Sequence, residues 1–286
     1  MGSRGREKVI QQLNSHATQD GDGVNISRIP GFDGKYLDPF LMIDELKSDD
    51  HSDFMGGFPA HPHRGIETFT YIIKGGFEHQ DQMGNKKAIR AGDVQWMSTG
   101  FGVIHSEMPL ADAKEGMHGF QIWLNMPSAE KLRAPRYQDT TEAPAPTTQN
   151  EQGVELKALA GSWQFAGEEQ VSSLQDLAAD GMLADVTLPA GTQFYHAALA
   201  QTKVMIYIHT GEIHTEQGGP VKAGSLLILE PGSNIEFNSQ TGAGALILAG
   251  EPLKQPIAHM GPFVMTTQAE LQQAVRDYQL GKFGTL

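Results

Sequence analysis

Short β-rich runs, broken at intervals by Gly, Pro, Asn and Asp, dominate the pattern of apolar and polar positions along the chain. The run TFTYII after Glu67 closes at Gly75 and Gly76, and residues 79–82 and 88–89 flank a turn at Met83, Gly84 and Asn85. Residues 92–97, 101–105 and 118–126 continue the series. Ahead of them, 25–29 and 37–45 read as extended around a turn at 31–34, and 51–57 as a polar loop. Strands this short and this closely spaced predict an antiparallel barrel or jelly roll, whose closure hides the sheet edges. A second series begins near Val154 and is legible at 183–188, 204–209, 225–229 and 245–248, with turns at 189–191 and 231–232. Between the two series, residues 133–152 lose apolar periodicity and gather Pro and Thr, which is linker chemistry. One helix is well marked. Thr267 to Glu270 has the capping-box form, and Leu271, Ala274, Val275 and Tyr278 follow at i, i+3, i+4, i+7 before Gly281. The expectation is an all-β chain of two tandem jelly-roll barrels, 1–135 and 153–286, joined by a linker at 136–152. Residues 1–24 are expected to begin as a flexible arm, and the helix to clasp across the domains from the end of the second.

Composition narrows the class. The 286 residues suffice for two ordinary domains, and 33 Gly with 15 Pro favour turns and short strands over long helices. Hydrophobic content of 39% and charged content of 19% are those of a globular protein, with no apolar run long enough to cross a bilayer. The N-terminal stretch has no apolar core of a secretory signal, and Arg6 stands where a myristoylation motif after Gly2 wants Ser or Thr. A cytoplasmic location fits. A net charge of −13 argues against direct nucleic-acid binding, which relies on basic patches. Lys86, Lys87 and Arg90 are the nearest approach to a patch, and at a hairpin they read as a solvated edge.

Cysteine is absent, so imidazole and carboxylate are the strong metal ligands available. His61 and His63 form one pair, His105 and Glu107 another. In each, the i, i+2 spacing turns both side chains to one face of a strand. Two such strands lining one cavity would bring the four groups to a point, a donor set suited to non-haem Fe(II) or a similar divalent ion. The bland alternative is four unrelated surface residues. Glu67 shares the parity of His61 and His63, so parity alone puts both carboxylates inside. Arg64 falls on the opposite parity, where a structural ion pair is its plain reading. Spacing gives His79 and His118 no ligand role. His196, His209, His214 and His259 are scattered singly, so the second barrel is expected to hold no metal.

The runs HPHRGIETFTY (61–71) and AGDVQWMSTGFGVIHSEMP (91–109), with AGSWQ (160–164) and AGEPLKQPIAHMGPFVM (249–265), resemble the pirin family of the cupin superfamily. The resemblance implies a bicupin, and it selects Glu107 over Glu67 as the fourth ligand beside His61, His63 and His105. Glu67 then becomes an inward-facing partner of a histidine or an arginine. It implies Fe(II), with Cu, Ni, Mn, Co or Zn as alternatives, and a quercetin 2,3-dioxygenase reaction on a flavonol or enediol-like substrate with O2. Glu107 would be the catalytic proton acceptor. Phe58 and Phe101 are the candidate pocket walls, while Phe69 and Met97 read as ordinary core. Phe101 stands where related chains often carry a polar or basic residue, which weakens transfer of substrate identity. A second implied role is regulatory: a metal- and redox-dependent protein that binds a transcription factor or metabolic enzyme, nuclear only in a eukaryote. A sugar isomerase using Zn or Mn would want basic phosphate contacts, for which only Arg64 stands nearby.

Overall fold

The computed structural model describes residues 8–216 and 218–286; Gly2 and Arg6 lie outside them. Chain order begins with β1 (Val9–Asn14), β2 (His16–Asp20), β3 (Val24–Pro30), β4 (Phe40–Ser48), β5 (Phe58–His63) and β6 (Ile66–Lys74). It continues through β7 (Gly76–Asp81), β8 (Lys86–Arg90), β9 (Val94–Ser98), β10 (Val103–Pro109), β11 (Met117–Asn125) and β12 (Arg136–Asp139). Then come β13 (Thr147–Gln149), β14 (Glu155–Ala160), β15 (Ser162–Phe165), β16 (Glu168–Val171), β17 (Met182–Leu188), β18 (Thr192–His196) and β19 (Lys203–Ile213). The last elements are β20 (Val221–Lys222), β21 (Ser225–Leu229), β22 (Ile235–Ser239), β23 (Ala243–Gly250), β24 (Ala258–Met260), β25 (Phe263–Met265) and α1 (Gln268–Gln279). No helix among the described residues is long and apolar enough to cross a membrane.

The chain forms two compact units, and their membership departs from the sequence-based boundaries. One gathers residues 16–144 with 253–286; the other joins the described residues up to Ser15 to 145–252. The first strand, expected in a flexible arm, is instead an ordered edge of the second unit, where β1 pairs antiparallel with β21. Its alternate residues are partly buried, so the polar composition of this segment hid a strand with one useful face. β2 likewise pairs with β3. The expected linker also contributes: β12 extends the first unit's sheet beside β9, with Tyr137 opposite Met97. The helix expected at the end of the second barrel groups with the first unit. There Leu271 and Ala274 pack with Phe263, Met265 and Phe283. Thr267 caps it, its Oγ1 accepting from the Glu270 N–H at 3.2 Å.

In the unit of residues 16–144 and 253–286, a seven-stranded sheet runs in the order β12-β9-β6-β11-β4-β3-β2, and a four-stranded sheet in the order β5-β10-β7-β8. Val24, Ile26, Leu46 and Ile72 of the larger sheet pack with Phe77 and Ile89 of the smaller, closing one end of the space between them. The inward face of the large sheet carries an uninterrupted polar row. Cross-strand partners share a face, and the register sets Asp139 beside Gln95, Gln95 beside Thr70, Thr70 beside Gln121, Gln121 beside Asp44, and Asp44 beside Arg28. The other unit has an eight-stranded antiparallel sheet and a separate β18–β22 pair, around a core that includes Leu156, Trp163, Val186, Phe194, Ile206 and Phe237.

Candidate metal centre

β5 and β10 are antiparallel neighbours, with His105 opposite His61. That register, with the i, i+2 spacing of each strand, gathers the three imidazoles. His61 Nε2 lies 3.0 Å from His63 Nε2 and 3.0 Å from His105 Nε2. The opposite nitrogens of two rings are held by carbonyls: His61 Nδ1 donates to the Pro59 oxygen at 2.7 Å and His63 Nδ1 to the Pro262 oxygen at 3.2 Å. A carbonyl only accepts, so those Nδ1 atoms carry protons, and in its neutral form each ring turns an Nε2 lone pair toward the common point. Bare lone pairs at 3.0 Å repel unless a cation stands between them. Nitrogens at right angles about an ion ~2.1 Å away stand ~3.0 Å apart, so the arrangement fits a divalent metal.

Electrostatics agrees. Burial, then the charge of His61, holds the His63 pKa well below its ordinary value. Burial, then His61, His63 and His79, does the same to His105. Both rings are therefore neutral and able to coordinate at ordinary pH. His105 Nδ1 is buried without a hydrogen-bond partner. The edge of Trp123 closes on His63, ring centroids 5.1 Å apart.

Glu107 lies in a second grouping, with His79 and His105. Its carboxylate is clamped by the polar row: Thr70 Oγ1 donates to Oε1 at 3.0 Å and Gln121 Nε2 to Oε2 at 3.0 Å. His79 has both ring nitrogens engaged, with Asp81 Oδ2 at 2.8 Å and Gln95 Nε2 at 2.9 Å, and Tyr137 stacks on its face. With no free lone pair it serves as a wall beside His105. The signal for this was present in sequence, since His79 and Asp81 repeat the i, i+2 spacing. Thr70, Gln121 and the Pro262 carbonyl carried no such signal, because their partners are remote in the chain.

Other candidates lie elsewhere. Glu67 is fully buried and accepts from Trp96 Nε1 at 3.0 Å and Arg133 Nη2 at 3.2 Å. Phe58 lines a cavity of about 670 Å³ that also exposes His61, His63 and Glu107. Phe101 does not line it. Its ring lies 4.2 Å from the Arg64 guanidinium, which also stacks on Phe283 and pairs with Asp277 at 3.0 Å. Flanked by Gly100 and Gly102, Phe101 is free in sequence to face either way, and the buried cation claims it. His118 is occupied by Glu45 at 2.8 Å. In the other unit His209 pairs with Asp185, and no histidine cluster occurs there among the described residues.

A two-sheet antiparallel barrel with three converging imidazoles defines a cupin with a candidate metal centre. The Pirin family profile matches residues 24–124 and that of the Pirin C-terminal cupin domain residues 183–284. A Vibrio cholerae protein carrying the provisional name quercetin 2,3-dioxygenase is 40% identical, covering 97% of this chain and 98% of its own length. A Caulobacter vibrioides pirin-like protein is 37% identical over 96% of this chain and 98% of its own. The chain belongs to the pirin family. The crystal structure of quercetin 2,3-dioxygenase from Acinetobacter baumannii superposes with a TM-score of 0.86 at 29% identity, covering 98% of this chain and 99% of that one. A bacterial pirin from Escherichia coli, solved in complex with nickel(II), shares the fold at a TM-score of 0.59 and 22% identity, over 85% of this chain and 99% of that one.

Proposed function

We propose that this pirin is a metal-dependent dioxygenase acting on flavonols or related enediol-like molecules. The observation that carries the reading is the convergence of His63 Nε2 and His105 Nε2 on His61 Nε2, each at 3.0 Å, beside an open cavity that His61 and His63 line. His61, His63 and His105 hold the ion, Fe(II) in this reading, and Glu107 completes the donor set. When bound, the ion supplies acidification of a coordinated hydroxyl and an electron path to O2.

The remaining work falls to the chain. Pro59 and Pro262 fix the ring planes of two ligands, so little reorganisation is needed on loading. Thr70 and Gln121 hold the Glu107 carboxylate, leaving on each oxygen a second lone pair to take the proton of the substrate's enolic hydroxyl. Phe58, Phe77, Ile72 and Trp123 supply apolar walls that displace water from a flat ring.

Two measurements test the reading. Purified protein should hold about one transition-metal ion per chain and lose it in the double variant His61→Ala, His63→Ala; equal metal content in the two would defeat it. Iron-loaded protein in air should consume quercetin with loss of its visible absorbance and matching O2 uptake. In Glu107→Gln the rate should fall by about 100-fold or more. If well-metallated wild type shows no turnover above free iron, the regulatory, partner-binding role replaces the enzymatic one.

A further inference from the structure

The polar row on the large sheet is longer than the metal centre needs. Gln95 serves His79, and Thr70 with Gln121 serves Glu107. Beyond Gln121 the row continues into Asp44 and Arg28, which touch no residue of the centre yet line the same cavity. Arg28 grips Asp44 with two bonds, Nε to Oδ1 at 2.7 Å and Nη2 to Oδ2 at 2.6 Å, and Nη2 also reaches Asp20 Oδ2 at 2.6 Å. Asp44 is buried, Arg28 half-buried, and Asp20 exposed.

Apolar rows flank this polar one. On one side the register aligns Ile72, Gly119 and Leu46; on the other it aligns Trp123 with Met42, and all five line the cavity. The floor is thus a polar stripe between two greasy ones. Thr70 to Arg28 spans three strand spacings, ~14 Å, which suits a molecule of two or three joined rings lying along the stripe. Gly119 has no side chain to lift such a ring from the floor.

We propose that Asp44 and Arg28 form the far subsite of this cavity, taking the hydroxyl-bearing end of a flat, uncharged polyphenol whose other end lies beside Glu107. The inference rests on the flavonol reading above and adds what selects among flavonols. Each Asp44 oxygen accepts one bond from Arg28 and keeps a lone pair for a phenolic hydroxyl. The ion pair is neutral as a unit, and Asp20 adds a negative charge beside it. The subsite therefore favours hydroxyl donors and disfavours anionic ligands such as carboxylates or phosphates.

The test is equilibrium binding of three flavonols to metal-loaded, full-length protein without O2, followed by quenching of tryptophan fluorescence. The three carry none, one or two hydroxyls on the pendant ring. Kd should fall by about ten-fold or more from none to two in wild type, and by less than about two-fold in Asp44→Asn. Should Asp44→Asn fail to fold by circular dichroism, Arg28→Gln must flatten the series in the same way. A flat series in wild type, or an intact one in a folded variant, overturns the subsite and leaves the flavonol reading in place. Absence of binding by any of the three overturns both.

Discussion

His63 takes its orientation from the carbonyl of Pro262, 199 positions away, while burial beside His61 keeps its ring neutral. The arrangement has a pH signature. The folded pKa values of His63 and His105 lie below the unfolded value of ~6.5, so the unfolded chain takes up protons first as the solution acidifies. Stabilisation from these neutral rings is full above that value and is lost as pH falls through the folded ones. The urea midpoint of metal-free protein should therefore drop between pH 7.5 and pH 5.5, and His63→Gln should flatten that drop. An unchanged slope in the variant would count against it. At this scale the sequence displayed the candidate pairs His61/His63 and His105/Glu107, because i, i+2 spacing is local. It displayed their second contacts poorly. Nothing near His63 announces Pro262, and nothing near Glu107 announces Thr70 and Gln121.

Among the elements, the joint between β5, β6 and β25 shows how a buried cation can set a site without touching it. Lys131 is fully buried, and its Nζ donates to the carbonyls of Gly65 and Val264 and to Asn125 Oδ1, at 2.7, 2.9 and 2.6 Å. Burial pulls its pKa down to about 7. Three acceptors match the three protons of an ammonium, so the joint is fully satisfied in the charged form. Gly65 follows the ligand strand and Val264 sits two residues from Pro262. Lys131→Met leaves buried acceptors without donors and should cost about 2–4 kcal/mol. The expected readout is a Tm several degrees lower together with weaker metal retention; a variant as stable as wild type would refute the role. Strand positions were legible wherever apolar residues alternated with turn residues between them. β1 and β12 were not, since each is an edge strand with only partial burial, and their pairing is decided by β21 and β9.

Across the whole molecule, the boundary at the Pro-rich stretch does not enclose the whole unit that carries the candidate metal centre. The unit that carries His61, His63, His105 and Glu107 also includes residues 253–286. From that segment come the Pro262 carbonyl and Asp277, the carboxylate partner of buried Arg64. Removing 253–286 should therefore abolish metal retention although every proposed ligand remains, since it takes away both the Pro262 carbonyl and the cover of Arg64. Stoichiometric metal in the truncated chain would contradict this. The helix itself was legible from its cap and its apolar stripe, but a stripe says only that something is covered, not what.

That late segment has a bearing on synthesis. A ribosome adds ~5–20 residues per second, so the four candidate ligands have left it well before Pro262 or Asp277 has been made. Until the last few dozen residues emerge, the nascent chain holds its imidazoles without the backbone oxygen that aims one of them. Any metal these residues take up should accordingly be bound after termination rather than during elongation.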